Sequence, residues 1–309
     1  GVVKILSLAI FPSILALSLL LLTGCPFAED GLRLGLVESQ GLLRSYWLHV
    51  PEDDSADARP LVIALHGFTE DGRVMAESTG FNAISDREGF IVAYPNGLMR
   101  RFSAFPDEPL DDSLFVRDVI NAIKSQYNIE STRVYVTGAS NGAFLTYLLA
   151  CRAGDVIAAA APVMASMPRD IADQWTPVRP VPILIIHGTA DPIIPYDAAE
   201  VFAGPGNTYA ALPVPETVQY WVAANNAYTT ATETALPDLD PDDDTLTVLY
   251  TYPATPDGAD VLFYEVQGGG HTWPGGSVSY PPFVVGTTAQ DFDASEAIWE
   301  FFSRHSLAE

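Results

Sequence analysis

Leu61-Val62-Ile63-Ala64-Leu65 is a run of five apolar residues with no polar alternate. A strand built from it has no face that tolerates water, so it must lie in a sheet covered on both sides. Ile91-Val92-Ala93-Tyr94 repeats the pattern and is stopped by Pro95-Asn96-Gly97. Residues 133–137, 181–186 and 262–266 read as further strands. Helical periodicity separates them. Residues 112–127 place apolar side chains at 114, 115, 116, 119, 120, 123 and 127, with Asp111 and Asp112 suited to the helix N-terminus. Residues 141–150 and 294–305 read as helices, the latter carrying Ile298, Trp299, Phe301 and Phe302. Buried strands alternating with helices predict an α/β fold with a mostly parallel central sheet and helices on both faces. No repeat and no break in composition divides residues 44–309, which are expected to form a single domain.

The chain carries 39 acidic and 15 basic residues, a net charge of −24, and its only lysines are Lys4 and Lys124. That excludes a binder of nucleic-acid phosphates, which needs clustered bases. An apolar content of 48% excludes a disordered chain. Charged residues make up 17%, so the acidity comes from missing bases more than from extra acids. Lys4 precedes an uncharged apolar stretch over 5–22, and Leu22-Thr23-Gly24-Cys25 resembles the bacterial lipobox. Residues 1–24 are therefore expected to be a lipoprotein signal peptide, with Cys25 lipidated and 25–43 forming a tether and first strand. A plain signal peptide and a retained anchor are the alternatives. On this reading the protein is exported and touches the membrane only through its lipid. Cys25 and Cys151 are the only cysteines, so with Cys25 lipidated Cys151 stands alone and no intrachain disulfide is possible. Cys151, after Leu148-Leu149-Ala150, reads as a buried thiol.

Gly138-Ala139-Ser140-Asn141-Gly142 lies between a strand and a helix, the context in which Gly-x-Ser-x-Gly forms a nucleophile elbow. A serine hydroxyl needs a base, and the base needs a carboxylate. Five histidines are available. His66 and His187 directly follow strands and read as loop braces. His49 sits in the first-hairpin pattern, and His305 lies near the C-terminus. His271, inside Gly268-Gly269-Gly270-His271-Thr272-Trp273-Pro274-Gly275-Gly276, is the expected base. Asp191, in the Thr189-Ala190-Asp191-Pro192 turn after a strand, is the expected acid; Asp170 and Asp173 fall where a helix begins. The oxyanion donors should be the backbone N–H groups of Asn141 and Phe68. Trp273 could wall the substrate site or pack in the core. The chain order Ser140, Asp191, His271 is that of an α/β-hydrolase fold.

These residues carry a resemblance. Leu65-His66-Gly67, the segment from Val134 to Ala143, His187-Gly188-Thr189-Ala190-Asp191 and the glycine-flanked His271 run are similar to those of the polyhydroxybutyrate depolymerase, feruloyl esterase and acetylxylan esterase family. The likeness spans roughly residues 44–305. It implies a secreted serine esterase, without cofactor, acting on a small or oligomeric ester, and puts Ser140, Asp191 and His271 in the same three roles. Relatives often have Cys where this chain has Phe68, and a disulfide whose places fall on Ala227 and Ala254. They usually have Gly and a Met-rich stretch where this chain has Ala143-Phe144-Leu145. These departures leave the triad intact but bear on the substrate pocket. A peptidase of prolyl-oligopeptidase type and a non-catalytic surface lipoprotein on a hydrolase fold are the competing expectations. Pro-Asp-Leu-Asp-Pro-Asp-Asp-Asp over 237–244 reads as a solvated loop, with a calcium site as its alternative; the glycine and glutamate of an EF-hand are missing.

Overall fold

The computed structural model describes residues 31–52, 57–105, 108–197, 199–204, 207–278 and 280–308. The expected signal peptide and Cys25 lie outside the described residues. Twelve strands are present among the described residues: β1 (Arg33–Ser39), β2 (Leu42–His49), β3 (Arg59–Leu65), β4 (Ile91–Pro95), β5 (Ile129–Ala139), β6 (Ala159–Val163), β7 (Ile183–Gly188), β8 (Glu200–Gly204), β9 (Asn207–Ala210), β10 (Thr232–Ala235), β11 (Leu246–Tyr252) and β12 (Val261–Gln267). Ten of them form one sheet in the order β1-β2-β4-β3-β5-β6-β7-β12-β11-β10, while β8 and β9 make a separate hairpin. Neighbours from β4 through β12 run parallel. The flanking pairs are antiparallel. The boundary expected at residue 44 falls inside β2, and β1 pairs along its length with β2, so the sheet begins before that boundary.

The helices are α1 (Gly72–Thr79), α2 (Phe81–Glu88), α3 (Asp112–Lys124), α4 (Asn141–Arg152), α5 (Arg169–Gln174), α6 (Val214–Ala224), α7 (Pro282–Val285) and α8 (Ala294–Ser303). Strand alternation divides the core between the two faces. Leu61, Ile63 and Leu65 pack with Phe115, Leu145 and Trp221 on the side of α3, α4 and α6. Val62 and Ala64 pack with Phe81, Ile84 and Phe301 on the side of α1, α2 and α8. All five residues of the 61–65 run are fully buried. Each large aliphatic so buried contributes about 1.5–3 kcal/mol of transfer free energy. Asp111 caps α3 by accepting the Ser113 N–H at 3.0 Å. Asp112 is turned inward instead, pairing with the buried Arg44 of β2 at 2.8 Å. Cys151 is buried, and burial pushes its thiol up to about 12. Ala227 and Ala254 face each other in an isolated β-bridge, the two places a disulfide would join.

The acidic 237–244 loop is held by one of its own carboxylates, Asp243, and by Asp291 from outside it. Asp243 accepts the Thr245 N–H at 2.7 Å and the Gln290 N–H at 3.0 Å, while Asp291 accepts the Leu239 N–H at 3.1 Å. No cluster of three or more His, Cys, Asp or Glu suited to a metal ion occurs among the described residues.

Candidate active site

The parallel strands end on one edge of the sheet, and the expected site residues sit there. Ser140 follows β5 and caps α4 with φ 53° and ψ −114°, a region that L-residues rarely occupy. The backbone on both sides holds it there: Ser140 N–H donates to Val163 O at 3.0 Å, and Ser140 O accepts from Ala143 N–H at 2.9 Å. Gly142 lets α4 press against the end of β3, since a Cβ at that position would lie 2.3 Å from Leu65 O.

Asp191 and His271 come from the loops after β7 and β12. Their ring–carboxylate contact, His271 Nδ1 to Asp191 Oδ2, is 2.7 Å long. The other oxygen, Oδ1, accepts the N–H groups of Ile193 and Ile194, each at 2.8 Å. With Oδ1 so occupied, Oδ2 faces the imidazole. His271 Nδ1 then carries the proton and Nε2 keeps its lone pair. The two loops lean directly on each other: Ala190 N–H donates to Gly269 O at 2.9 Å, and a Cβ on Gly188 would meet Gly269 O at 2.2 Å. Ser140 and His271 line one cavity of about 940 Å³. The hydrogen bond between them is not formed among the described residues; such contacts are often loose before substrate enters.

The backbone N–H groups expected to form the oxyanion hole are left unbonded among the described residues, while their neighbours are not. In the turn after β3, Gly67 N–H goes to Glu70 Oε2, Thr69 N–H to Arg100 O and Glu70 N–H to Gly67 O. Phe68 N–H keeps no protein partner among the described residues, nor does Asn141 N–H, the first of α4. Asn141 also has a part that its backbone role did not suggest. Its side chain grips Phe102, accepting the N–H at 2.7 Å and donating to the carbonyl at 3.1 Å.

His66 braces the turn after β3: its ring donates to Gly67 O at 2.7 Å and accepts Gly97 N–H at 2.9 Å. His187 donates to Gly188 O at 3.0 Å, and its Nε2 rests 3.9 Å from Asp191 Oδ2 without a hydrogen bond. Burial lowers the pKa of both rings and keeps them neutral. His49 hydrogen-bonds Asp86 at 2.7 Å, and His305 packs on Phe301, both among elements that do not contribute to the cavity. Asp170 stands in the first turn of α5 and lines the cavity.

Of the two roles left open for Trp273, packing takes up most of the ring. It is buried, donates its indole N–H to Ser295 Oγ at 3.0 Å and meets Phe81 edge-on, leaving only a small part to line the cavity. The rest of the aromatic lining comes from Phe68 and Phe144, both at departures from the family pattern, and from Phe105, Tyr209 and Tyr280, which lie in no motif. Phe105, Phe144 and Tyr209 pack against one another with ring centroids 4.8–5.9 Å apart, and Phe68 and Tyr280 line the cavity from exposed positions.

Comparison with known proteins agrees with this architecture. Residues 44–231 match the family described as esterase PHB depolymerase. The chain is 31% identical to "Putative esterase NocK" of Nocardia uniformis subsp. tsuyamanensis, over 84% of this chain and 79% of that protein. It is 37% identical to poly(3-hydroxyalkanoate) depolymerase C of Paucimonas lemoignei over 37% of this chain, spanning 30% of that enzyme. It is 32% identical to the bifunctional acetylxylan esterase/xylanase XynS20E of Neocallimastix patriciarum over 53% of this chain, spanning 24% of that enzyme. The fold is shared with an acetyl xylan esterase from Aspergillus awamori, at a TM-score of 0.57 and 17% identity, covering 87% of this chain and 98% of that one. The chain belongs to the esterase PHB depolymerase family and is an esterase of the α/β-hydrolase type.

Proposed function

We propose that this esterase is an exported serine enzyme that cleaves carboxylic esters through an acyl-enzyme. Ser140 is the nucleophile, His271 the base and Asp191 the orienting acid. His271 Nε2 takes the Ser140 proton as Oγ attacks the ester carbonyl, and Asp191 stabilises the imidazolium that forms. The N–H groups of Phe68 and Asn141 receive the oxyanion. His271 then protonates the leaving alcohol, and water repeats the sequence to free the acid. The observation that carries this reading is the 2.7 Å contact of His271 Nδ1 with Asp191, on a cavity that Ser140 also lines.

The cavity also bears on the substrate. A volume of about 940 Å³ is far larger than an acetyl group needs, and its walls are aromatic. Its charged lining is Glu70, Glu108 and Asp170 against Arg101, which Glu108 pairs with. An acidic rim favours neutral esters over anionic ones. Feruloyl or acetyl esters of neutral sugars and hydroxyalkanoate esters are therefore the proposed class. The names of the depolymerase and acetylxylan esterase relatives support the same range. Export, with Cys25 as the lipid-bearing residue, rests on the 5–22 apolar stretch and the Leu-Thr-Gly-Cys that follows.

Hydrolysis of p-nitrophenyl acetate and butyrate tests the mechanism, and Ser140→Ala should abolish both hydrolysis and fluorophosphonate labelling. Activity equal to wild type in that variant would refute the nucleophile. Methyl ferulate, acetylated xylan and hydroxybutyrate oligomers, assayed side by side, rank the substrates. Radiolabelled palmitate incorporation that survives Cys25→Ala would rule out lipidation there.

A further inference from the structure

The turn that presents Phe68 is closed by one carboxylate. Glu70 Oε2 accepts Gly67 N–H at 2.9 Å, and Glu70 N–H returns to Gly67 O at 3.3 Å. The other carboxylate oxygen, Oε1, accepts the Tyr280 O–H. Tyr280 belongs to the segment that follows His271. That segment is anchored on α1, where Ser277 donates through N–H to Ser78 O at 3.3 Å and through Oγ to Glu77 O at 2.6 Å. Glu70 and Tyr280 both line the cavity beside Phe68 and His271. One side chain thus joins the turn carrying the expected oxyanion donor to the segment carrying the expected base. An ionised carboxylate accepts from both donors, and burial with the neighbouring Glu70 raises the Tyr280 pKa, keeping its proton in place.

We propose that Glu70 is a positioning residue, which with Tyr280 fastens the Phe68 turn to the His271 segment and so fixes the oxyanion donor relative to Ser140. It touches no reacting atom and acts through the Phe68 N–H. The proposal rests on the reading of Ser140 and the oxyanion hole given above. Without the carboxylate, Gly67 N–H loses its partner and the turn is released from the Tyr280 segment. The Phe68 N–H then points at a less defined place, and misplacement of a catalytic group by about 1 Å lowers rates by about 100-fold.

The full chain carrying Glu70→Ala, Glu70→Gln or Tyr280→Phe is assayed on p-nitrophenyl butyrate, with inhibition by an alkyl trifluoromethyl ketone as a probe of oxyanion binding. Glu70→Ala should lower kcat by about 10- to 100-fold with KM close to wild type, and weaken the ketone by a similar factor. Glu70→Gln should recover most of kcat, because its amide oxygen can accept Gly67 N–H while its NH2 donates to the Tyr280 hydroxyl. Tyr280→Phe removes one hydroxyl from an exposed side chain and keeps the assay usable if Glu70→Ala does not fold; it should lower kcat by about 3- to 10-fold with KM close to wild type. Wild-type kcat in Tyr280→Phe or Glu70→Ala, a loss confined to KM, or a Gln variant as impaired as Ala would each overturn the proposal. Activity surviving in Ser140→Ala would instead refute the reading beneath it.

Discussion

The backbone of Ser140 stores strain that a pair of substitutions can measure. At φ 53° and ψ −114° a residue with a Cβ is destabilised by about 1–3 kcal/mol. The turn cannot relax alone, because its N–H and its carbonyl are both bound, to Val163 O and to Ala143 N–H. Ser140→Ala keeps the Cβ and the strain; Ser140→Gly removes both. Glycine also loosens the unfolded chain, which offsets about 0.4–1 kcal/mol of the gain. The Gly variant should therefore exceed the Ala variant in stability by about 1 kcal/mol, within a window from near zero to about 2.5. Ser140 Oγ has no hydrogen bond among the described residues, so the Ala variant should match wild type. Urea unfolding followed by far-UV circular dichroism gives both differences, and neither variant should hydrolyse p-nitrophenyl esters. An Ala variant more stable than the Gly variant by about 0.5 kcal/mol or more would show that the turn is unstrained and refute the reasoning.

Other outcomes follow from neighbouring contacts. In Asp191→Asn the amide oxygen should keep the Ile193 and Ile194 N–H bonds and turn the NH2 toward His271, forcing the wrong tautomer; kcat should fall by about 10⁴-fold with little change in Tm. His66 and His187 have pKa values lowered by burial, so the unfolded chain binds more protons than the folded one once pH drops below about 6.5. Their contribution is complete above that pH and is lost as pH falls, by up to about 1.4 kcal/mol per pH unit for each ring; equal urea midpoints at pH 7.5 and 5.5 would contradict it. The buried Tyr209 hydroxyl has no hydrogen-bond partner among the described residues, and leaving such a group unsatisfied costs about 1–3 kcal/mol, so Tyr209→Phe should raise the urea midpoint and a lowered one would mean a bond is being made. With a net charge of −24, self-repulsion should be screened by salt, so the melting temperature should rise between low and near-molar NaCl.

The strands that were legible are those whose side chains announce burial: 61–65 and 91–94 match β3 and β4 to within two residues, and 133–137, 181–186 and 262–266 fall on β5, β7 and β12. β6 was not legible. Ala159-Ala160-Ala161-Pro162-Val163 has poor strand propensity, and it sits in the sheet because β5 and β7 cover it on both edges. Alanine there has a packing reason, since α4 crosses close to that strand. Ser140, Asp191 and His271 could be singled out as candidates because each lies in a local motif after a strand. The walls of the cavity could be read only in part, at Phe68 and Phe144. Phe105, Tyr209 and Tyr280 meet only through tertiary structure, from three loops or hairpins distant in sequence. Trp273 was ambiguous because its motif places it near His271 without fixing which way the indole turns; the Ser295 hydroxyl decides that, and it lies on α8.

The site is assembled at two backbone joints that sequence shows only as glycine. At the first, Gly142 brings α4 onto the end of β3, which sets Ser140 beside the turn that carries Phe68. At the second, Gly188 and Gly269 bring the Asp191 loop onto the His271 loop. Each joint is rigid, because backbone in contact with backbone has no side chain to yield. Neither joint fixes the distance between the two halves, and in the proposed mechanism proton transfer from Ser140 to His271 depends on that distance. Parallel strands β5, β6, β7 and β12 supply it from below, through the register of the sheet. From above, Glu70 and Tyr280 join the Phe68 turn to the segment beyond His271. A bond between two side chains is the softer of these links. Changes there should reach the rate while sparing the fold, and changes at either glycine joint should reach both.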